Sequence, residues 1–162
     1  MTNKELFTTD EWAALRDAPH MIAMATGVAG SSGLFGSIGE MFTSVKVIME
    51  AADSPNPLIK LFGSQEEIKA AQESLKTFAH TADPQHMKED LQKTAIARAQ
   101  AALAALNAKA PGDVNDYKTW IRSVAQRVAE SSKEGGFLGF GGERVSEKER
   151  EFLARLDGAL AS

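Results

Sequence analysis

Four times along this chain a hydroxyl residue stands three positions ahead of a glutamate at the head of an apolar run: Thr8/Glu11, Ser37/Glu40, Ser64/Glu67 and Ser146/Glu149. This is the capping-box pattern. The hydroxyl accepts from the glutamate's amide while the glutamate carboxylate reaches back to the first residue's amide, so two donors that a helix start leaves orphaned are satisfied together. Phe7 before the first box and Trp12 after it are spaced for a hydrophobic staple. The apolar face continues through Leu15, Pro19 and Ile22. Pro19 has no amide hydrogen for the Leu15 carbonyl, so the spacing predicts a kink or break there.

The later runs keep the helical period. Ile38, Met41, Phe42, Val45, Ile48, Met49 and Ala52 fit one face, and Ser54-Pro55-Asn56-Pro57 stops that helix. Asn56-Pro57 caps a short turn through Leu61 that ends at Gly63. Ile68, Ala71, Leu75 and Phe78 follow the Ser64 start. Asp83 as cap and Pro84 as first residue predict an alanine-rich helix to about Lys109, closed by Pro111-Gly112. Asp113 is expected to cap a helix carrying Val114, Tyr117, Ile121, Val124 and Val128, and Ser146 one carrying Phe152, Leu153, Leu156 and Leu160. No segment alternates with a strand's period. The fold class is therefore all-α: one domain over 1–162, a bundle of about six helices. It groups as a first helix pair (8–53), central helices (57–110) and a second helix pair (113–161).

A chain of this length buries roughly two-thirds of its surface on folding, enough for a core without staples. Its apolar (43%) and charged (25%) shares are those of a globular protein. The net charge of −4, with basic residues scattered among acids, argues against a nucleic-acid partner. The absence of cysteine removes disulfides, thiol catalysis and thiolate metal sites. No run of about 18 apolar residues is present to span a membrane, which leaves room only for peripheral lipid contact. The opening Met1-Thr2-Asn3-Lys4-Glu5 lacks a signal peptide's basic start and apolar stretch, so a cytoplasmic location is expected.

Two segments match each other. At one constant offset, 31–40 overlays 134–143 so that Gly33, Gly36 and Gly39 coincide with Gly136, Gly139 and Gly142, and Glu40 with Glu143. Leu34-Phe35 falls on Phe137-Leu138, and Phe140 adds a further aromatic ring. Each segment sits between helical runs, a pattern compatible with two pseudo-symmetric helix–glycine loop–helix halves. Glycine every third residue from Gly27 to Gly39 suits neither a helix nor collagen, and a loop with residues at positive φ is expected. Leu34, Phe35, Phe137, Leu138 and Phe140 then have two readings: plugs folded over the bundle's core, or a contact surface for a second copy, another protein or a lipid. A phosphate loop fails for want of a Lys-Ser/Thr pair and a preceding strand.

Chemistry-bearing residues are sparse. His80, Asp83 and His86 are the candidate metal ligands, with Glu89 and Asp90 beyond. Two imidazoles and a carboxylate suit a zinc-like ion. Helix capping and dipole effects account for the same residues without a metal. His20 has no sequence partner and reads as a surface or interfacial histidine. No catalytic triad or nucleophile elbow is present, so neither enzyme activity nor a cofactor is expected. The run 147–151 reads as a solvated helix face. Ala99, Ala101, Ala102, Ala104, Ala105 and Ala108 make a slim helix suited to a central place in the bundle. The methionines fit core positions, Met21 and Met24 also an adaptable surface.

Two resemblances follow from these residues. Glu11-Trp12, Leu15, Ala18-Pro19 and Gly33-Leu34-Phe35-Gly36 resemble the opening of a group of short, uncharacterised bacterial helical proteins, which implies no activity. The helix–glycine loop–capped helix order is similar to the TerB-like (tellurite-resistance) fold, with Ser146 and Glu149 matching its Ser-x-x-Glu helix start and Gly136 near its loop. That family's acidic loop is replaced here by Ala29-Gly30-Ser31-Ser32-Gly33 and Ser131-Ser132-Lys133-Glu134-Gly135, so its metal binding does not carry over. The expected function is a non-enzymatic interaction or scaffold protein that self-associates or docks a partner through the glycine segments. The alternatives are a small-molecule or lipid binder and a metal-binding stress-response protein.

Overall fold

The computed structural model describes residues 3–30, 45–131 and 145–161. Six α-helices have defined bounds: α1 (Thr9–Gly30), α2 (Pro57–Phe62), α3 (Gln65–Thr81), α4 (Met87–Lys109), α5 (Val114–Ser131) and α6 (Glu147–Ala161). Residues 45–49 are also helical and tighten into a 3-10 turn, Glu50–Asp53. No strand occurs among the described residues. The chain is an all-α bundle whose main core draws on five of these helices, with Leu75 and Phe78 of α3 packed against it.

Two capping boxes close fully. The Thr8 amide donates to the Glu11 carboxylate at 2.7 Å and the Glu11 amide to the Thr8 hydroxyl at 3.2 Å. At α6 the Ser146 amide donates to Glu149 at 2.8 Å, and the Glu149 amide returns to the Ser146 hydroxyl at 3.3 Å. The Ser64 box closes by half. Its hydroxyl accepts from the Glu67 amide, but the Glu67 carboxylate turns inward to take the Trp12 indole N–H at 3.0 Å and the Lys4 ammonium at 2.7 Å. Asn56 caps α2, accepting from the Leu58 and Ile59 amides ahead of Pro57. The box at Ser37/Glu40 lies outside the described residues.

The axis of the bundle is α1, buried on almost every side and packed most extensively against α4. Alanines make that approach close: Ala95, Ala99, Ala102 and Ala105 of α4 are buried, whereas Ala101, Ala104 and Ala108 face outward. The helix runs through Pro19 without a break, contrary to the sequence expectation. The reason lies in α5. The Tyr117 hydroxyl, fully buried, donates to the Leu15 carbonyl at 2.7 Å, replacing the bond that Pro19 cannot supply. Burial, with the nearby Asp17 charge, pushes the Tyr117 pKa upward, so this proton stays in place. Tyr117→Phe keeps the ring and orphans the carbonyl. It should cost about 2 kcal/mol in urea or thermal unfolding, while Pro19→Ala/Tyr117→Phe should recover most of that loss because the helix then bonds itself.

Other expectations are corrected. Gly27 and Gly30 belong to the last turn of α1, not to a loop. Packing on nearly all faces of α1 outweighs the roughly 1 kcal/mol that each glycine costs a helix. Asp83 does not open the long helix. Its carboxylate accepts from the Gln85 amide, forming a turn over 84–86, and α4 begins at Met87 behind His86. Asp113 keeps its expected place immediately before α5 as the last residue of a 3-10 turn (Pro111–Asp113), and its carboxylate accepts from the Asn56 side-chain amide at 2.9 Å. Glu149 is buried, so the run 147–151 is solvated at its other positions only. Its capping carboxylate is held under Ser146 at the α1–α6 contact.

Candidate functional site

Side-chain contacts fix how the helices run. Lys109 pairs with Glu11, and Lys88 reaches the Ala29 carbonyl at 3.2 Å, so α4 is antiparallel to α1. Tyr117 meets Leu15 and Val128 lies against Gly27, so α5 runs parallel to α1. Glu149 presses on Gly30, and α6 therefore starts where α1 ends. A small apolar cluster of Ala23, Val47, Ile48, Val124 and Val128 ties residues 45–49 to the same region. Gly30, the end of α5 and the start of α6 thus gather at one end of the bundle, while the 45–49 helix begins farther in, beside His20, Ala23 and Met24. These are the four points from which segments 31–44 and 132–144 depart and return. The predicted contact residues Leu34, Phe35, Phe137, Leu138 and Phe140 lie outside the described residues, as do Gly33, Gly36, Gly39, Gly136, Gly139 and Gly142.

Just inside this end is a cavity of about 330 Å³ between α1, residues 45–48 and α3. Ala23, Met24, Val45, Ile48, Leu75 and Ala79 give it an apolar wall, with Gln72 and Lys76 on the α3 side. Lys76 is ion-paired with Glu73 at 2.7 Å. Among the described residues the polar group set into the inner wall is His20, which is 4% exposed, so the surface half of the surface-or-interfacial expectation is corrected. Burial, reinforced by the Arg16 charge, holds its pKa down to about 4, so the imidazole is neutral at pH 7. Among the described residues the structure records no hydrogen bond to its ring, yet no buried side-chain nitrogen lacks a partner. The ring nitrogens therefore open onto the cavity. This site has no sequence signature, because His20, Met24, Ile48 and Leu75 come from three separate elements.

Of the candidate metal ligands, Asp83 and His86 come together: the imidazole Nδ1 lies 3.0 Å from the Asp83 carboxylate, and both side chains are more than half exposed. The Gln85 amide first, and then His86, lower the Asp83 pKa. No group of three His, Asp or Glu side chains placed to hold a metal occurs among the described residues, His80 included. The geometry performs a local task, closing the turn before α4.

The remaining buried carboxylates are also tied down. Asp17 accepts from Arg16 at 2.7 Å, and Arg16 reaches Ser74 on α3. Glu67 anchors Trp12 within an aromatic train that continues through Phe62 to Trp120, the last two rings stacked 5.9 Å apart. Outside this train a polar groove of about 390 Å³ runs between Glu50, paired to Arg127, and Asp116, which accepts from Asn56 at 2.8 Å. Each charged group there already has a partner within the protein.

No helix among the described residues is long and apolar enough to cross a membrane. No family model, curated protein or solved structure matches the chain. What fold and site define is an all-α bundle with an apolar cavity between α1, residues 45–48 and α3.

Proposed function

We propose that this chain is a non-enzymatic interaction protein that self-associates through the end of the bundle bearing the two glycine segments. The observation that supports this is the convergence of Gly30, the end of α5 and the start of α6 at one end, with the 45–49 helix packed on Ala23, Val124 and Val128 next to it. Two apolar, glycine-rich stretches far apart in sequence therefore attach to the fold side by side. The two segments carry Leu34, Phe35, Phe137, Leu138 and Phe140 in their sequences, and clustered apolar groups serve association better than single ones do. Burying such a patch between two copies satisfies it without a separate partner, and closed two-fold pairs are the commonest oligomers. A cytoplasmic location is part of the same reading and rests on the cysteine-free composition. So is kinship with short bacterial helical proteins and TerB-like domains, which rests on the residues quoted above.

Size-exclusion chromatography with light scattering tests the proposal. The wild-type chain should show a concentration-dependent mass above that of a monomer, and Phe137→Ser and Phe140→Ser should each return it to a monomer with unchanged helical content. A strict monomer at every concentration, or an oligomer indifferent to both substitutions, would contradict it.

A further inference from the structure

The cavity beside His20 carries a second inference, independent of self-association. Its wall is almost wholly hydrocarbon, contributed by Ala23, Met24, Ile48 and Leu75, and such a wall favours an apolar body. Among the described residues its one inward polar group is the imidazole of His20, 4% exposed as a whole, whose ring nitrogens are open to the cavity space. A neutral imidazole offers one N–H donor and one bare nitrogen acceptor, so a guest with a matching hydroxyl gains a hydrogen bond that a pure hydrocarbon cannot make. Among the described residues the only cation in the lining, Lys76, is engaged by Glu73, so none of them calls for an anion. At about 330 Å³ the space holds a molecule of roughly ten non-hydrogen atoms, taking about 30 Å³ for each water-sized group.

We propose that this cavity is a binding site for a compact, neutral, mostly hydrocarbon molecule bearing one hydroxyl group, of the size and polarity of an alkylphenol, with the hydroxyl on the His20 ring. The hydroxyl donates to the bare imidazole nitrogen while the ring and alkyl group lie against Met24, Ile48 and Leu75. Met24 suits this role, because its unbranched thioether adapts to an aromatic guest.

The test is a titration of the full chain with 4-ethylphenol and, in parallel, with its hydroxyl-free counterpart 4-ethyltoluene, followed by NMR of the methionine methyl groups and the histidine ring nitrogens. The expected result is saturable movement of the Met24 methyl and His20 ring signals, with the phenol bound about tenfold more tightly, the ratio of one added hydrogen bond. His20→Leu should erase that preference while keeping hydrocarbon binding. Should that variant fail to fold, the wild-type ratio and the His20 ring shift still decide the matter. Equal affinity for the two probes overturns the proposal, as does the absence of saturation at Met24 up to the probes' solubility. So does a free protein in which an aromatic ring from segment 31–44 already contacts the Met24 methyl, since the occupant would then be the chain itself.

Discussion

Replacing Gly63 with alanine should destabilise the protein by about 3 kcal/mol or more, a cost at or beyond the upper end for overpacking a core. Gly63 follows α2 with φ −78° and ψ −4°, a conformation that any residue adopts, so backbone strain is not the reason. The reason is proximity. A Cβ there would overlap the Ala52 amide nitrogen, and would lie 2.6 Å from the Ala52 Cα and 2.8 Å from the Ala51 carbonyl carbon. Those atoms belong to the main chain of the 3-10 turn Glu50–Asp53 and cannot swing aside as a flexible side chain would. The turn and α2 would have to separate, and Phe62, 1% exposed and central to the aromatic train, would lose its packing. Chemical unfolding followed by circular dichroism measures the loss directly. Gly112→Ala is the control: a Cβ there meets nothing within 4 Å, and its effect should be below about 1 kcal/mol.

The second large effect is a pH dependence centred on His20. Its pKa falls from about 6.5 in an unfolded chain to about 4 in the fold, first through burial and then through the Arg16 charge. Between those values the unfolded chain binds a proton that the folded one refuses, so stability rises with pH across that window. The contribution is fully present above pH 6.5, is lost progressively as pH falls toward 4, and amounts to about 3 kcal/mol over the interval. Glu11, Glu50, Glu73 and Asp83 also have lowered pKa values, but their ordinary values of 4.5 and 3.8 put their losses at lower pH. The His20 window stands largely clear of them. Stability measured from pH 7 down to 4.5 should therefore slope steeply in the wild type and flatten in His20→Leu. A wild-type slope retained in His20→Leu would show that another group carries it.

Local rules in the sequence gave the helices their starts and stops with good fidelity wherever the reason was itself local. The boxes at Thr8 and Ser146, the Asn56-Pro57 cap and the stop at Pro111 all depend on residues within a turn of one another. The expectations that failed were those where a distant residue intervened. Pro19 looks like a helix breaker until Tyr117, far along the chain, supplies the missing donor. Glu67 looks like a capping partner until Trp12 and Lys4 claim its carboxylate. Gly63 reads correctly as a stop, but its necessity comes from the backbone of Ala52 and has no sequence mark. Asp83 makes a turn in place of a cap, because an aspartate serves a short Asx turn as readily as a helix start. The candidate site divides in the same way. The two matched glycine segments are visible in sequence, but their common anchorage and the His20 cavity exist only once α1, α3, α5 and α6 are packed.

The shared end is the centre of the functional account, and backbone amide NMR across a dilution series tests it most directly. Shifts that change with protein concentration should gather at Val28, Ala29, Lys46, Ser131, Val145 and Ser146, around the four anchors. Amides at the other end, such as Thr8, Ala108 and Gly112, should stay fixed. Concentration-dependent shifts confined to that other end, or spectra that do not change at all on dilution, would contradict it.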